Sequence, residues 1–311
     1  MILAGDVGAT KILLEVGEPR SDGWDPAFQR RYQLNDFANI TEVLARFGEE
    51  WSQAHRGTPK ITSAAFGVAG PVMNNRVKMT HRAWILDGAH IAHDLGIARA
   101  TVVNDLAAAA SGIAWMGERD LTTIQQGMPV ESAPSVVLGV GTGLGIAYLV
   151  DGKVIPGEGG HAGFSPSTPA QTQLFQKLVT THGRVEAEEV ASGMGLANIY
   201  KALTGTDLDP ASISERAAKG DATCRTVVEL FSECLGNIAG DHALAVMAQG
   251  GVFLAGGVIA KIAPLVSIQR LASAFCAKGV FSSMLMEVPI KIVTNENLAV
   301  IGAARIANRA V

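Results

Sequence analysis

Apolar positions along this chain keep changing their spacing, and the changes mark out its strands and helices. The short run Ile2-Leu3-Ala4 meets Gly5-Asp6-Val7-Gly8-Ala9-Thr10, and Ile12 to Val16 resumes the run, which predicts a hairpin closed by a glycine-containing turn. A third strand is expected over 28–34. Val43, Leu44, Phe47 and Trp51 keep a period of 3.6 and predict a helix over 41–54, with Asn39 or Thr41 as its cap. Short buried strands are expected over 63–68, 77–80 and 100–103, and helices over 90–95 and 106–115. From Ser135 the layout starts again, with a strand over 136–138, a glycine-rich turn over 139–145, a strand over 146–150 and a turn at Asp151-Gly152. Both halves share an order of strand, glycine turn, strand, which is what a duplicated unit leaves behind. Helices are expected to dominate 168–247, and the chain finishes with strands over 252–255 and 288–293 and a helix over 298–308.

A length of 311 residues is more than one core usually organises, so two domains are expected. Hydrophobic residues are 48% and charged residues 17% of the chain, a balance that favours a folded protein over a disordered one. The stretch 243–260 is apolar apart from Gln249 and long enough to raise the question of a membrane span. Gly250-Gly251 and Gly256-Gly257 divide it into a helix end, a short buried strand and a turn. A net charge of -4 with no block of Lys or Arg argues against a generic nucleic-acid partner and for a small molecule. Cys224, Cys234 and Cys276 are three in number and widely spaced; they read as buried thiols of a reducing cytoplasm, not as a zinc or disulfide framework. The first residues carry no basic segment and meet Asp6 at once, so a signal peptide is not expected.

Two segments have the composition of phosphate loops, Gly5 to Thr10 and Gly139 to Gly145, since glycine lets main-chain N–H groups approach an anion closely. Neither has the spacing of a dinucleotide fingerprint or of a Walker loop, so a nucleotide site here belongs to another architecture. Each loop taken alone is also an ordinary hairpin turn. Asp6 offers a carboxylate suited to hydrated Mg²⁺, and the hydroxyl of Thr10 could meet a phosphate oxygen. Asn104-Asp105 falls at a strand-to-helix junction, where an aspartate by itself reads as the N-cap. Pro156-Gly157-Glu158-Gly159-Gly160-His161 holds two polar side chains among small or rigid residues, an ordering that costs entropy unless the loop has a task. Glu188, beside Glu186 and Glu189, reads alone as part of a solvated helix face. His90 and His93 share a helix face, but with no second ligand cluster they read as surface residues.

Together these segments resemble, in order and over nearly the whole chain, the bacterial glucokinases of the actin/hexokinase superfamily. Gly5-Asp6-Val7-Gly8-Ala9-Thr10 looks like the first phosphate motif, Val103-Asn104-Asp105 like the catalytic motif and Gly141-Thr142-Gly143-Leu144-Gly145 like the second phosphate motif. The Glu158/His161 loop and Ser192-Gly193-Met194-Gly195-Leu196 look like sugar-site segments, and Phe253-Leu254-Ala255-Gly256-Gly257 like the adenosine motif. The resemblance implies a two-domain α/β fold of the actin/hexokinase-like (ribonuclease H-like) type, with an active-site cleft between a smaller N-terminal domain, 1–109 plus 297–311, and a larger one, 110–296. It implies ATP-dependent phosphorylation of the C6 hydroxyl of glucose, feeding glycolysis, with Mg²⁺ as cofactor, in a cytoplasmic homodimer with no nucleic-acid or membrane partner. Asp105 would be the general base; Asn104, Asp105, Glu158, His161 and Glu188 would bind the sugar; Asp6, Gly8, Ala9, Thr10, Gly141, Thr142, Gly143, Gly256 and Gly257 would bind ATP, with Asp6 also holding Mg²⁺, directly or through water.

Ala9, Lys11 and His81 depart from the family's usual glycine and two asparagines, and the zinc-binding cysteines of the related repressor and open-reading-frame kinase family are missing near Gly160-His161. A kinase of another hexose and a non-catalytic sugar sensor on the same fold are the alternatives; the intact Asn104-Asp105 pair and the lack of an N-terminal helix-turn-helix speak against the sensor.

Overall fold

Ile2–Val7 (β1) is almost wholly buried, as expected of a strand with neighbours on both edges and packed layers on both faces. It pairs antiparallel with Lys11–Arg20 (β2) and parallel with Ser63–Val68 (β4), while Gly23–Gln33 (β3) extends the sheet beyond β2. The computed structural model describes residues 1–21, 23–55, 57–79 and 82–309. It divides into two compact units, Met1–Gly117 with Asn297–Val311, and Glu118–Glu296.

In the first unit, helix α1 (Ile40–His55) is followed, after β4, by the small hairpin of β5 (Arg76–Lys78) and β6 (Ile85–Asp87). Helix α2 (Gly88–Leu95) then leads to β7 (Ala100–Asn104), which lies parallel to β4. The sheet order is β3-β2-β1-β4-β7. One face carries Leu3, Val7, Leu14, Val16 and Phe66 against Val43, Leu44, Phe47 and Trp51 of α1. The other carries Ile2, Ala4, Leu13 and Ala65 against Val300, Ala303, Ala304 and Ala307 of the last helix, Leu298–Asn308. That helix also packs on α3 (Asp105–Gly112).

Several predicted bounds move, each for a local reason. β3 begins at Gly23, earlier than the apolar pattern predicts, because it stays paired with β2, through one register shift between Val16 and Gly17, down to Arg20 and Gly23. Its added residues, Trp24-Asp25-Pro26, lie on an edge strand that needs no alternation. The strand expected over 77–80 is Arg76–Lys78, and Thr80 and His81 lie outside the described residues. α2 starts at Gly88 because the Asp87 carboxylate accepts from the N–H groups of Ala89 and His90, and it stops at Gly96, which takes a positive φ of 63°. The helix expected over 106–115 is α3 followed by a 3₁₀ turn, Ile113–Trp115.

The second unit contains β8 (Leu121–Gln125), β9 (Ser135–Val140), β10 (Leu144–Val150), β11 (Lys153–Gly157), β12 (Gly251–Ala255) and β13 (Ile290–Val293), in the order β11-β10-β9-β12-β13-β8. Around the sheet lie α4 (Pro169–His182), α5 (Gly193–Thr204), α6 (Pro210–Ala218), α7 (Ala222–Val246), α8 (Gly257–Ile262), α9 (Ile268–Cys276) and α10 (Ser282–Met286). Val227, Phe231, Leu235 and Ile238 of α7 are in the same core as Val136, Leu138, Leu254 and Ile292. All three cysteines are buried. The apolar stretch over 243–260 becomes the end of α7, with Met247 in the left-handed region, then β12 and the start of α8. Among the described residues no single helix is long and apolar enough to cross a membrane; one pair, Gly257–Leu265 and Ile268–Cys276, meets the length and composition only jointly and is bent by 113°.

Candidate active site

In the first unit the chemistry gathers at the ends of β1 and β7. Successive side chains of a strand alternate between faces, so Asp6 continues the row of Ile2 and Ala4, on the side covered by the last helix. Its register partners are Leu13 on β2 and Gly67 on β4, and Gly67 in turn pairs with Val103. Gly67 therefore stands between Asp6 and the head of α3, and a β-carbon there would lie 2.8 Å from that of Ala108 and 3.5 Å from Cα of Asp105. With no side chain between them, the two aspartates feel each other. Burial, and after it the charge of Asp105, push the Asp6 carboxyl up to about 6, while Arg31 pulls it the other way. Arg31 follows from register, since it pairs with Leu13, and its guanidinium donates to Oδ1 of Asn297 at 2.8 Å.

The cap of α3 is a correction. Asn104, not Asp105, is the N-cap: its Oδ1 accepts from the N–H groups of Leu106 at 2.9 Å and Ala107 at 3.3 Å. Its amide nitrogen donates to the Gly70 carbonyl at 3.2 Å. Asp105 is the first helical residue, half-buried, and its Oδ1 also accepts from the N–H of Leu106 at 2.8 Å. The asparagine is held by its extended backbone, φ -61° and ψ 147°, the conformation a capping residue adopts. Gly8, Ala9 and Thr10 form the β1–β2 turn, closed by the Gly8 N–H donating to the Lys11 carbonyl at 3.0 Å; Ala9, Thr10 and Lys11 are exposed.

In the second unit Gly141, Thr142 and Gly143 form the corresponding turn between β9 and β10. The first N–H groups of α5, from Gly193 and Met194, donate to the carbonyls of Gly141 at 2.8 Å and Thr142 at 3.3 Å. Because β12 runs parallel to β9 with Ala255 beside Gly139, Gly256-Gly257 emerges next to this turn. Gly256 has a φ of 111°, and a β-carbon there would lie 2.6 Å from the Val140 carbonyl oxygen, so glycine is required by both conformation and space.

Glu188 is not on a solvated helix face. It sits in a 3₁₀ turn, Ala187–Glu189, half-buried, with Oε2 accepting from the Leu144 N–H at 3.0 Å. Nδ1 of His161 lies 2.8 Å from Oε2 of Glu186 and 3.9 Å from Oε1 of Glu188. Hydrogen bonding to Glu186 raises the His161 pKa; burial opposes the rise, and the charges of Glu188, Glu186 and Glu158 add to it. Glu186 is the residue that sequence reasoning passed over. Its nearest signal is the alternation Glu186-Ala187-Glu188, which in a 3₁₀ turn leaves Ala187 buried and both acids half-buried. Glu158 is exposed, on the same loop as His161. His90 and His93 are exposed on α2, beside Asp94 at 3.5 and 3.6 Å.

A family model described as Glucokinase matches residues 3–310. This chain belongs to the glucokinase family. A glucokinase of Nostoc punctiforme is 33% identical over 99% of this chain and 99% of its own. A solved glucokinase from an Antarctic psychrotroph superposes with a TM-score of 0.90 at 28% identity, over 99% of this chain and 98% of its own. A glucokinase of the ROK family from Streptomyces griseus, solved in complex with glucose and AMPPNP, shares the fold at a TM-score of 0.65 and 18% identity, over 99% of both chains. The fold of this glucokinase-family chain is the actin/hexokinase-like α/β fold.

Proposed function

We propose that this chain transfers the γ-phosphoryl group of ATP to the C6 hydroxyl of glucose, giving glucose 6-phosphate for glycolysis. The observation that carries the reading is the placement of Asp6 and Asp105 on either side of Gly67 at one end of the first unit's sheet, beside a glycine-containing hairpin. Phosphoryl transfer asks mainly for position and charge neutralisation. Asp105, at the head of a helix capped by its neighbour, orients the C6 hydroxyl and takes its proton. Asn104, Glu158, His161 and Glu188 replace the water shell of the other hydroxyls with fixed donors and acceptors. The N–H groups around Gly8, Ala9 and Thr10, and around Gly141, Thr142 and Gly143, receive the phosphates, and Gly256-Gly257 leaves room for the adenosine.

The chemistry of the acids fits Mg²⁺. Asp6 is costly to ionise where it stands because burial and Asp105 both oppose its charge, and a divalent cation repays that cost. Asp6 would hold it, and the ion would supply neutralising charge to the phosphate oxygens. The resemblance also supports a homodimer, and three buried free cysteines support a reducing cytoplasm.

A coupled assay of ADP release with ATP, Mg²⁺ and a panel of hexoses tests the reading. Turnover with glucose well above that with fructose, mannose and amino sugars is expected, along with its loss in EDTA. A chain that binds glucose but releases no ADP would be a sensor, and turnover on another hexose alone would move the substrate.

A further inference from the structure

Behind the loop that carries Glu158 and His161 lies a polar pair with no part in the reading so far. Tyr148 stands on β10 and His242 on the last turns of α7, both half-buried. The phenol oxygen and Nδ1 of the imidazole are 2.8 Å apart, with the ring centroids 6.1 Å apart and the rings tilted. A β-carbon at Gly159 would lie 2.8 Å from Cε1 of His242, and one at Gly157 would lie 3.6 Å from Cε2 of Tyr148. The pair therefore packs against the main chain on both sides of Glu158. Just beyond, a β-carbon at Gly160 would lie 1.7 Å from the Leu144 carbonyl oxygen, so the glycines of the loop are pressed onto β10, while His161 is tied separately to Glu186.

Burial lowers the pKa of His242, against the charge of Asp241 beside it, which Lys278 Nζ binds at 2.5 Å. A neutral imidazole can accept the phenol proton at Nδ1. An apolar pair would pack here with no polar atoms to satisfy, so a directional hydrogen bond at this place points to placement more than to stability.

We propose that Tyr148 and His242 are positioning residues for the sugar: their hydrogen bond fixes the main chain on both sides of Glu158 and so sets where Glu158 and His161 are presented. The inference rests on the reading of Glu158 and His161 as sugar ligands.

Steady-state kinetics with glucose and ATP varied separately test it. Tyr148→Phe, which keeps the ring and loses only the hydroxyl, is expected to raise KM for glucose about fivefold, the size of one neutral hydrogen bond, with kcat and KM for ATP little changed. His242→Ala should do at least as much, and Tyr148→Phe with His242→Ala no more than the worse single change, because both break one contact. His242→Asn, whose side-chain oxygen can take the place of Nδ1, should recover most of the loss. An unchanged KM for glucose in Tyr148→Phe, or an equal loss in KM for ATP, overturns the inference. His161→Ala is the reference. If it leaves KM for glucose unchanged, the sugar-ligand reading falls and this one with it; if it raises KM while Tyr148→Phe does not, only the positioning role falls.

Discussion

In the first unit the strands lie in the order β3-β2-β1-β4-β7, and in the second the first five lie in the order β11-β10-β9-β12-β13. Both rows have two antiparallel pairs followed by two parallel ones. The two hairpins differ by one residue in their turns: four positions, Gly8 to Lys11, separate the last pair of β1–β2, and three, Gly141 to Gly143, that of β9–β10. The last pairs before the turns are Val7 with Ile12 and Val140 with Leu144, so Asp6 in one unit corresponds to Gly139 in the other. One frame has thus been given two tasks. The first unit adds a carboxylate beside its turn, within reach of the charge of Asp105. The second has glycine at the equivalent place and brings an acid, Glu188, from a distant 3₁₀ turn to accept from the main chain just past the turn. In the proposed reading the acids of the first unit bear on charge and proton transfer, and those of the second on holding loops and the sugar.

Changes to the acids of the first unit should therefore cost turnover, and changes to those of the second should cost affinity. The largest effect is expected for Asp105→Ala, a loss of roughly two to four orders of magnitude in kcat, the usual worth of a general base. Glucose binding by calorimetry should persist, and an active variant would remove Asp105 from its role.

Asp6→Asn separates function from stability. Activity should fall steeply, while the folded state gains. The Asp6 carboxyl is raised from 3.8 to about 6 on folding, so folding favours its protonated form, and ionisation begins to cost stability as pH rises through 4, in full above 6. Asparagine removes that cost, worth on the order of 1–3 kcal/mol with partial screening. Urea midpoints of the variant should exceed the parent's at pH 8 and converge with them near pH 4. An equal gain at both pH values would mean that folding does not raise the Asp6 carboxyl.

In the second unit, Glu188→Gln should raise KM for glucose about tenfold, the scale of a hydrogen bond to a charged group, with a smaller change in kcat. An equal fall of kcat at saturating glucose would blur the contrast between the units. The smallest effect is expected for Glu186→Gln, which removes the main cause of the raised His161 pKa. The His161–Glu186 pair stabilises the fold fully below the ordinary histidine value of about 6.5 and loses that contribution as pH rises through the raised value. NMR titration of His161 should move toward the ordinary value in the variant.

The two hairpins and the central strands were legible because a buried strand with a glycine turn must be written as an apolar run with a break in it. The edge strands of the second sheet were not. β8 reads Leu-Thr-Thr-Ile-Gln and β11 reads Lys-Val-Ile-Pro-Gly, and no strand was predicted at either, since an edge strand takes its register from its one partner and needs no pattern of its own. The choice of cap between Asn104 and Asp105 was illegible for a different reason. Both residues accept from N–H groups, and only the backbone conformation at 104 decides which one closes the helix. The links from His161 to Glu186 and from Arg31 to Asn297 join residues 25 and 266 positions apart, a separation at which local spacing carries no information. The motif residues of the proposed site could be named from the sequence; the groups that hold them could not.

The covering of the first sheet by Leu298–Asn308 imposes a timetable on synthesis. Strands β1, β2 and β4 leave the ribosome early, yet one of their faces stays exposed to water until that helix has been translated, long after the second unit could have closed. A nascent chain should therefore acquire protease resistance in its middle before its beginning, and the half bearing Asp105 should be the last to mature.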